Sequence, residues 1–332
     1  MAFIDIIGQE AAIQIIRDEL LSGRLHHAYL FMGKEGMGKK TLALQFARAL
    51  NCREEEADSC DSCLSCRKIM HFNHPDVRLI EIEEGYSIKI EQIRELQKDI
   101  AFKPYEAERK VYIVDGADRM TEEAANSLLK TLEEPPGYAI IILLAEEGDK
   151  LLPTVISRCQ QLSLAEIPVE TLEEILLERG ADRDPAALLA RLAEGSPGNA
   201  FRMLEEKEYL AFRQELLDFL NNLPGTNALE IFEKSGDFAR VMDEDTDETA
   251  FPVFDLILNW YRDIILYNQG AQKQIINIDY MESIIALNKI YRLEELIGII
   301  EEINNIRKMV NSNVKKELAL EVLFFKIRSK RV

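Results

Sequence analysis

The sequence predicts an α/β domain built on a parallel sheet, followed by a small helical domain and an all-helical C-terminal domain. Apolar strand-like runs alternate with amphipathic helical stretches through the first half of the chain. Strands that are apolar throughout are typical of a parallel sheet covered by helices on both faces. Beyond Pro168 the strand-like runs disappear and apolar residues recur at helical spacing. We therefore predict domains at residues 1–165, 166–207 and 208–332.

The individual elements follow from apolar periodicity and from glycine and proline breaks. In the first domain, strands are predicted at 28–32, 77–82, 111–114 and 139–144, and helices at 10–21, 39–51, 89–101 and 121–133. In the second half, residues 195–198 and 221–225 interrupt the helical pattern. Long amphipathic helices are predicted around 291–310 and 313–328.

Composition excludes several classes of protein. The chain has 332 residues, and 40 Lys and Arg against 59 Asp and Glu give a net charge of −19. A content of 47% hydrophobic and 30% charged residues is typical of a globular protein rather than a disordered one. The acidic balance argues against a protein that coats nucleic acid over its whole surface, because each phosphate contact needs a cation. No apolar run approaches the ~20 residues that span a bilayer, and the N-terminus lacks the features of a signal peptide. We expect no membrane partner and a cytoplasmic location.

A glycine-rich segment after the first predicted strand matches the phosphate-binding pattern G-x-x-x-x-G-K. Gly33, Gly38 and Lys39 satisfy the pattern, and Gly36 lies between them. Glycines let backbone N–H groups approach phosphate, and the N-terminus of the following helix favours anions. Lys39 would reach the β- and γ-phosphates of a nucleotide. This segment is therefore the predicted nucleotide site.

The positions that would bind magnesium and activate water are altered. Asp115 ends the apolar run 110–115 and is the candidate magnesium carboxylate. Lys40 stands where the pattern requires a Ser or Thr hydroxyl on magnesium, and Thr41 lies about 100° further round the helix, a poor substitute. In working ATPases of the helicase-and-loader type, a Glu usually follows the Asp, but here the residue is Gly116. Two altered positions in one site predict impaired hydrolysis.

Four clustered cysteines predict a structural metal site in the insert 52–66. The C-x2-C-x2-C spacing lets neighbouring thiolates wrap one tetrahedral ion, and a fourth thiolate at the end of the preceding helix completes the site. Zinc is expected, but a [4Fe–4S] cluster also accepts this spacing, so both remain open. His71 and His74 are not needed as ligands and are expected at the surface or at helix ends. The predicted ligands are Cys52, Cys60, Cys63 and Cys66.

Three further elements complete a pattern known from one family. His-Ala-Tyr-Leu-Phe at 27–31 precedes the phosphate loop, Asn-Ser-Leu-Leu-Lys-Thr-Leu-Glu-Glu-Pro-Pro occupies 126–136, and Ser-Arg-Cys occupies 157–159. Together with the cysteine insert, they make the chain resemble bacterial clamp-loader subunits of DNA polymerase III, which are AAA+ proteins. The resemblance is to the delta-prime (delta') subunits in particular. The resemblance implies that residues 166–207 form a helical lid domain and that residues 208–332 form a collar domain for oligomerisation.

The resemblance also implies residue roles and partners. Arg158 resembles the arginine finger that reaches into the ATP site of a neighbouring subunit, and the alternative is a surface ion pair or a charge at a helix C-terminus. Active relatives carry a lid arginine where this chain has Gly198. The implied partners are gamma/tau and delta subunits in a heteropentamer, with the sliding clamp and primed DNA contacted through the complex.

Two functions are consistent with this pattern. The leading hypothesis is a stator subunit that donates Arg158, hydrolyses little or no ATP itself and helps to load the sliding clamp onto primed DNA. The alternative is an ATP-hydrolysing, gamma-like motor subunit that uses Thr41 for magnesium and Asp118 as the base. The sequence leaves open whether ATP and magnesium still bind at the degenerate site.

Overall fold

Apolar runs in the first half of the chain form a five-stranded parallel sheet. In the computed structural model, which describes residues 2–83, 85–146, 148–243, 253–310 and 314–330, the spatial order is β2-β3-β4-β1-β5. Residues that follow β1, β3 and β4 converge at the carboxyl edge, where open α/β sheets bind ligands. The strands are β1 Ala28–Met32, β2 Val77–Ile80, β3 Lys110–Asp115, β4 Ala139–Ala145 and β5 Gln160–Ser163.

Helices cover both faces of the sheet, and alternate strand residues enter two separate cores. Tyr29 and Phe31 pack on one face with Phe46, whereas Leu30 packs on the other face with Leu128. This period of two follows from the alternation of side chains along a strand. The helices are α1 Glu10–Ser22, α2 Lys39–Asn51 and α3 Leu64–Met70, then α4 Ile90–Ile100, α5 Glu122–Glu133 and α6 Pro153–Ile156.

The chain divides into two compact units. The first comprises Met1–Leu172 and Glu194–Asn199, and the second comprises Glu173–Ala193 and Ala200–Val332. In the second unit the described residues form helices around buried aromatic side chains such as Trp260. The remaining helices are α7 Val169–Glu178, α8 Arg183–Leu192, α9 Pro197–Glu205, α10 Lys207–Asn222, α11 Ala228–Asp243, α12 Val253–Asn268, α13 Met281–Leu287, α14 Leu293–Val310 and α15 Lys316–Ser329.

The predicted fold class is confirmed as an α/β domain with a parallel sheet, followed by helices. The elements β5 and α3 are not among those predicted from the sequence. β5 has the sequence Gln-Gln-Leu-Ser, pairs only with β1 at one edge of the sheet and buries only Leu162. α3 lies within the cysteine-rich region, where spacing had predicted only a metal-binding insert. Over the ranges that the structure describes, no helix combines the length and the apolar character needed to cross a membrane.

Candidate functional site

The glycine-rich loop joins β1 to α2 at the carboxyl edge of the sheet. Gly33 follows β1 and donates its N–H to the Ala145 carbonyl at 3.2 Å. Gly36 and Gly38 have φ values of 72° and 87°, in the left-handed region that favours glycine, and Gly38 is the N-cap of α2. The loop therefore presents a helix N-terminus in the place predicted for phosphate.

Residues 195–199 lie directly on this loop. The Gly198 N–H donates to the Gly36 carbonyl at 2.9 Å, and the Ser196 hydroxyl donates to the Glu35 carbonyl at 2.9 Å. A Cβ added to Gly198 would lie 2.7 Å from the Gly36 oxygen. Gly198, which stands where a lid arginine is expected, therefore makes a backbone contact with the phosphate loop. Any side chain at residue 198 would disturb this contact.

The Lys39 ammonium is bound by groups of the protein itself. Its Nζ donates to the carbonyl oxygens of Gly33 at 2.5 Å and Lys34 at 2.9 Å. Burial lowers the pKa of Lys39, and neighbouring carboxylates oppose this effect by favouring the charged form. The lysine predicted to bind phosphate therefore lies among anions, which weakens its attraction for another anion. These carboxylates belong to Glu146, Asp115, Asp118 and Glu35.

The predicted magnesium position holds an ion pair. Lys40 Nζ lies 2.5 Å from Glu81 Oε1, while the Thr41 side chain is exposed. Burial raises the pKa of Asp115, and Lys40 is the charge that opposes this most. Gly116 follows Asp115 with φ of 85°, so a Glu at this position would strain the backbone. A cation, rather than a hydroxyl, therefore lies near the carboxylate predicted to bind magnesium.

The four clustered cysteine sulfurs converge. The Sγ atoms of Cys52, Cys60, Cys63 and Cys66 all lie within 4.8 Å of one another. A tetrahedral ion with Zn–S bonds of about 2.3 Å needs sulfurs about 3.8 Å apart, so one ion fits the four ligands. Backbone N–H groups of Cys63 and Cys66 donate to the sulfurs of Cys60 and Cys63 at 3.2 and 3.5 Å. Hydrogen bonding, first from the Ser62 side chain, lowers the pKa of the Cys60 thiol to about 6. These groups favour the thiolate form of Cys60, which binds metal, whereas burial raises the pKa of the Cys66 thiol.

An arginine and two histidines lie around the cysteine insert. Arg48 of α2 pairs with Asp61 at 2.7 Å and so fastens the insert to the phosphate-loop helix. His71 lies at the end of α3, as expected. The expectation that His74 lies at the surface or a helix end is wrong, because this residue is buried in the loop before β2. The Asp76 N–H donates to His74 Nδ1 at 3.1 Å, so this buried ring nitrogen has a hydrogen-bond partner.

Arg158 follows α6 and carries a partly exposed guanidinium. Its Nη2 lies 2.6 Å from Glu133 Oε1, and its Nη1 donates to the Thr154 carbonyl at 2.9 Å. The side chain is 33% exposed. The surface ion pair considered as an alternative is therefore present, on a side chain that solvent still reaches.

Comparison with known proteins assigns the chain to a family. Residues 8–168 match the family described as "DNA polymerase III, delta subunit", and residues 211–329 match "DNA polymerase III, delta subunit, C terminal". The DNA polymerase III subunit delta' of Bacillus subtilis strain 168 is 31% identical over 315 residues, which cover 95% of this chain and 94% of that protein. The chain belongs to the delta' family of DNA polymerase III clamp-loader subunits.

This delta' family member is also similar to gamma and tau subunits. The DNA polymerase III subunit tau of Escherichia coli K12 is 38% identical over 211 residues, which cover 61% of this chain but 32% of tau. A crystal structure of a DNA polymerase III gamma subunit-related protein from Thermotoga maritima has a TM-score of 0.49 and 21% identity, covering 97% of this chain and 99% of that one. Since both a delta' and a tau subunit match this chain in sequence, the ATPase role depends on the site residues themselves.

In this delta' family member, three carboxylates lie beside the predicted site residues but were not predicted as site residues from the sequence. Glu81 and Glu146 each follow a strand at the carboxyl edge, where Glu81 pairs with Lys40 and Glu146 lies near Lys39. Glu133 ends α5 and pairs with Arg158. An acidic residue directly after a buried strand was the available signal for Glu146. No local pattern marks Glu133 as a partner of a residue 25 positions away.

Proposed function

We propose that this chain is the stator subunit of the DNA polymerase III clamp loader. It joins gamma/tau and delta subunits in a heteropentamer that places the sliding clamp on primed DNA. It supplies Arg158 to a neighbouring ATP site and hydrolyses little or no ATP itself. The observation that carries this proposal is the Lys40–Glu81 ion pair beside Asp115, where a working site would hold magnesium.

Electrostatics support the absence of hydrolysis. P-loop NTPases hold Mg²⁺ between a Ser or Thr hydroxyl and an acidic residue at a strand end, and the metal neutralises charge that develops on the phosphates. The Lys40 ammonium near Asp115 repels a dication from this position. Lys39 already donates to two loop carbonyls and lies among carboxylates, so binding phosphate would require it to give up these partners.

Arg158 is the group this subunit offers to a neighbour. A guanidinium is always charged and presents several donors in a fixed plane, which suits it to the oxygens of a transferring phosphoryl group. Its side chain is partly exposed and lies at the end of a short helix rather than in the core. An arginine supplied to a phosphoryl-transfer site in this way raises the rate by ~10³–10⁵.

The cysteine cluster is proposed to bind one structural zinc ion. Four thiolates complete a tetrahedral shell and leave no open coordination position, as in structural rather than catalytic sites. Binding of a structural zinc contributes on the order of 10 kcal/mol to folding of the segment that holds it. Metal analysis of purified protein should find about one zinc per four thiolates. Iron with visible absorbance would instead establish the iron–sulfur alternative.

The proposed lid and collar are residues 166–207 and 208–332, and the collar exposes an apolar stripe that a neighbouring subunit would cover. The rings of Phe232 on α11 and Phe325 on α15 lie 5.3 Å apart, so the two helices form one surface. The opposite face of α15, including Leu320 and Phe324, is buried within its own unit. The exposed stripe consists of Leu229, Phe232, Leu318 and Val322.

ATP turnover by the purified chain tests the proposal against the gamma-like alternative. The stator proposal predicts no turnover above that of a preparation without the protein. Turnover at ordinary ATPase rates that disappears in Lys39→Ala would establish a motor subunit, with Thr41 on magnesium and Asp118 as the base. Equilibrium binding of labelled ATP shows separately whether the degenerate site still binds nucleotide.

A further inference from the structure

We propose that Glu133 is a positioning residue that holds Arg158 in the orientation needed at the neighbouring ATP site. The inference rests on the proposed in-trans role of Arg158 and adds a second residue to it. Glu133 would not touch the nucleotide, because its carboxylate acts only through the guanidinium.

The Glu133 contact fixes one side of the guanidinium while the backbone fixes the other. Nη2 lies 2.6 Å from Glu133 Oε1, and Nη1 donates to the Thr154 carbonyl at 2.9 Å and to the Ser157 hydroxyl at 3.4 Å. The carbonyl and the hydroxyl belong to α6 and its C-cap, whereas Glu133 is the last residue of α5. The arginine is therefore held between α5 and α6 rather than by α6 alone.

These contacts leave donors of Arg158 for a partner. A guanidinium has five N–H donors, and the contacts above use two on Nη1 and one on Nη2. Among the contacts of the described residues, one Nη2–H and the Nε–H have no acceptor. Oxygens of a phosphate can accept from both of these donors.

Positioning matters because an arginine side chain has four rotatable torsions. Ordering a free arginine costs up to about 2 kcal/mol of conformational entropy. A contact already formed in the free subunit reduces the part of this cost that remains when the neighbour docks. The Glu133 side chain is 50% exposed, so solvent screens the ion pair and its effect is modest. We expect a change of about two- to five-fold in kcat rather than abolition.

The test uses the loader reconstituted from this full chain and its cognate gamma/tau and delta subunits. Its DNA-stimulated ATP turnover is measured with Glu133→Gln, Arg158→Ala, the double variant, and Glu134→Gln as a matched control. Glu134 is the adjacent exposed carboxylate and does not contact Arg158. We expect Glu133→Gln to lower kcat about two- to five-fold with KM for ATP unchanged. Glu134→Gln should match wild type, and the double variant should equal Arg158→Ala.

The four variants distinguish a failure of this inference from a failure of the proposed function. Unchanged turnover with Arg158→Ala would overturn the in-trans role and the inference with it. If Arg158→Ala lowers turnover but Glu133→Gln leaves it unchanged or raises it, only the inference is overturned. A further loss when Glu133→Gln is added to Arg158→Ala would also overturn it, because Glu133 would then act independently of the arginine.

Discussion

The contact between Gly36 and Gly198 predicts that one added methyl group destabilises the phosphate loop. A Cβ at residue 198 would lie 2.7 Å from the Gly36 oxygen and 2.8 Å from its Cα. Both are backbone atoms, so no flexible side chain can move aside. Overpacking of this kind costs about 1–3 kcal/mol, and loss of the hydrogen bond between the two residues adds about 1 kcal/mol. We expect Gly198→Ala to lower the free energy of unfolding of the first unit by about 2–4 kcal/mol.

Unfolding in urea is monitored by hydrogen exchange of the backbone amides in peptides from α2. The measured change in stability then belongs to the first unit alone. Gly137→Ala is the matched control, because a Cβ at Gly137 meets no atom within 4 Å and its φ is not positive. The control should change stability by less than about 1 kcal/mol. If Gly198→Ala were as stable as the control, the close backbone contact and the reasoning from it would be wrong.

Three further predictions concern the metal site, acid stability and assembly. Cys63→Ser should abolish the bound metal and expose the insert 52–66 to proteolysis, whereas Cys159→Ser, outside the cluster, should retain full metal content. Burial raises the pKa of Asp76, but three backbone N–H donors outweigh burial and hold its pKa below the ordinary value. Its contribution to stability is therefore present above about pH 4 and is lost as the pH falls through the lower folded pKa. Asp76→Asn should cost about 1–3 kcal/mol at pH 7 and flatten the acid limb of a pH–stability profile. Phe232→Asp should reduce co-purification with the other loader subunits while the circular dichroism spectrum stays unchanged, and normal co-purification would exclude the stripe on α11 and α15 as an interface.

The fold could be predicted where burial imposes a pattern on the sequence. Central strands such as β3 and β4 are buried on both faces, so they appear as continuous apolar runs. The edge strand β5 buries only Leu162 and gives no such signal. Backbone pairing with β1, rather than side-chain burial, defines this strand.

Two parts of the candidate site follow from local spacing in the sequence. The phosphate loop and three of the four clustered cysteines are short motifs, and the structure brings each set together. Contacts between distant segments could not be predicted. Lys40 pairs with Glu81 because the sheet brings the segments that follow β1 and β2 to one edge, and Gly198 meets Gly36 from a part of the chain beyond the sheet.

The central claim is that this subunit supplies Arg158 to a neighbour and carries out no hydrolysis of its own. The most direct test measures DNA-stimulated ATP turnover of the reconstituted loader when this chain alone carries Arg158→Ala or Lys39→Met. We predict that Arg158→Ala lowers turnover and that Lys39→Met leaves it at the wild-type rate. A loss of turnover with Lys39→Met and none with Arg158→Ala would contradict the account.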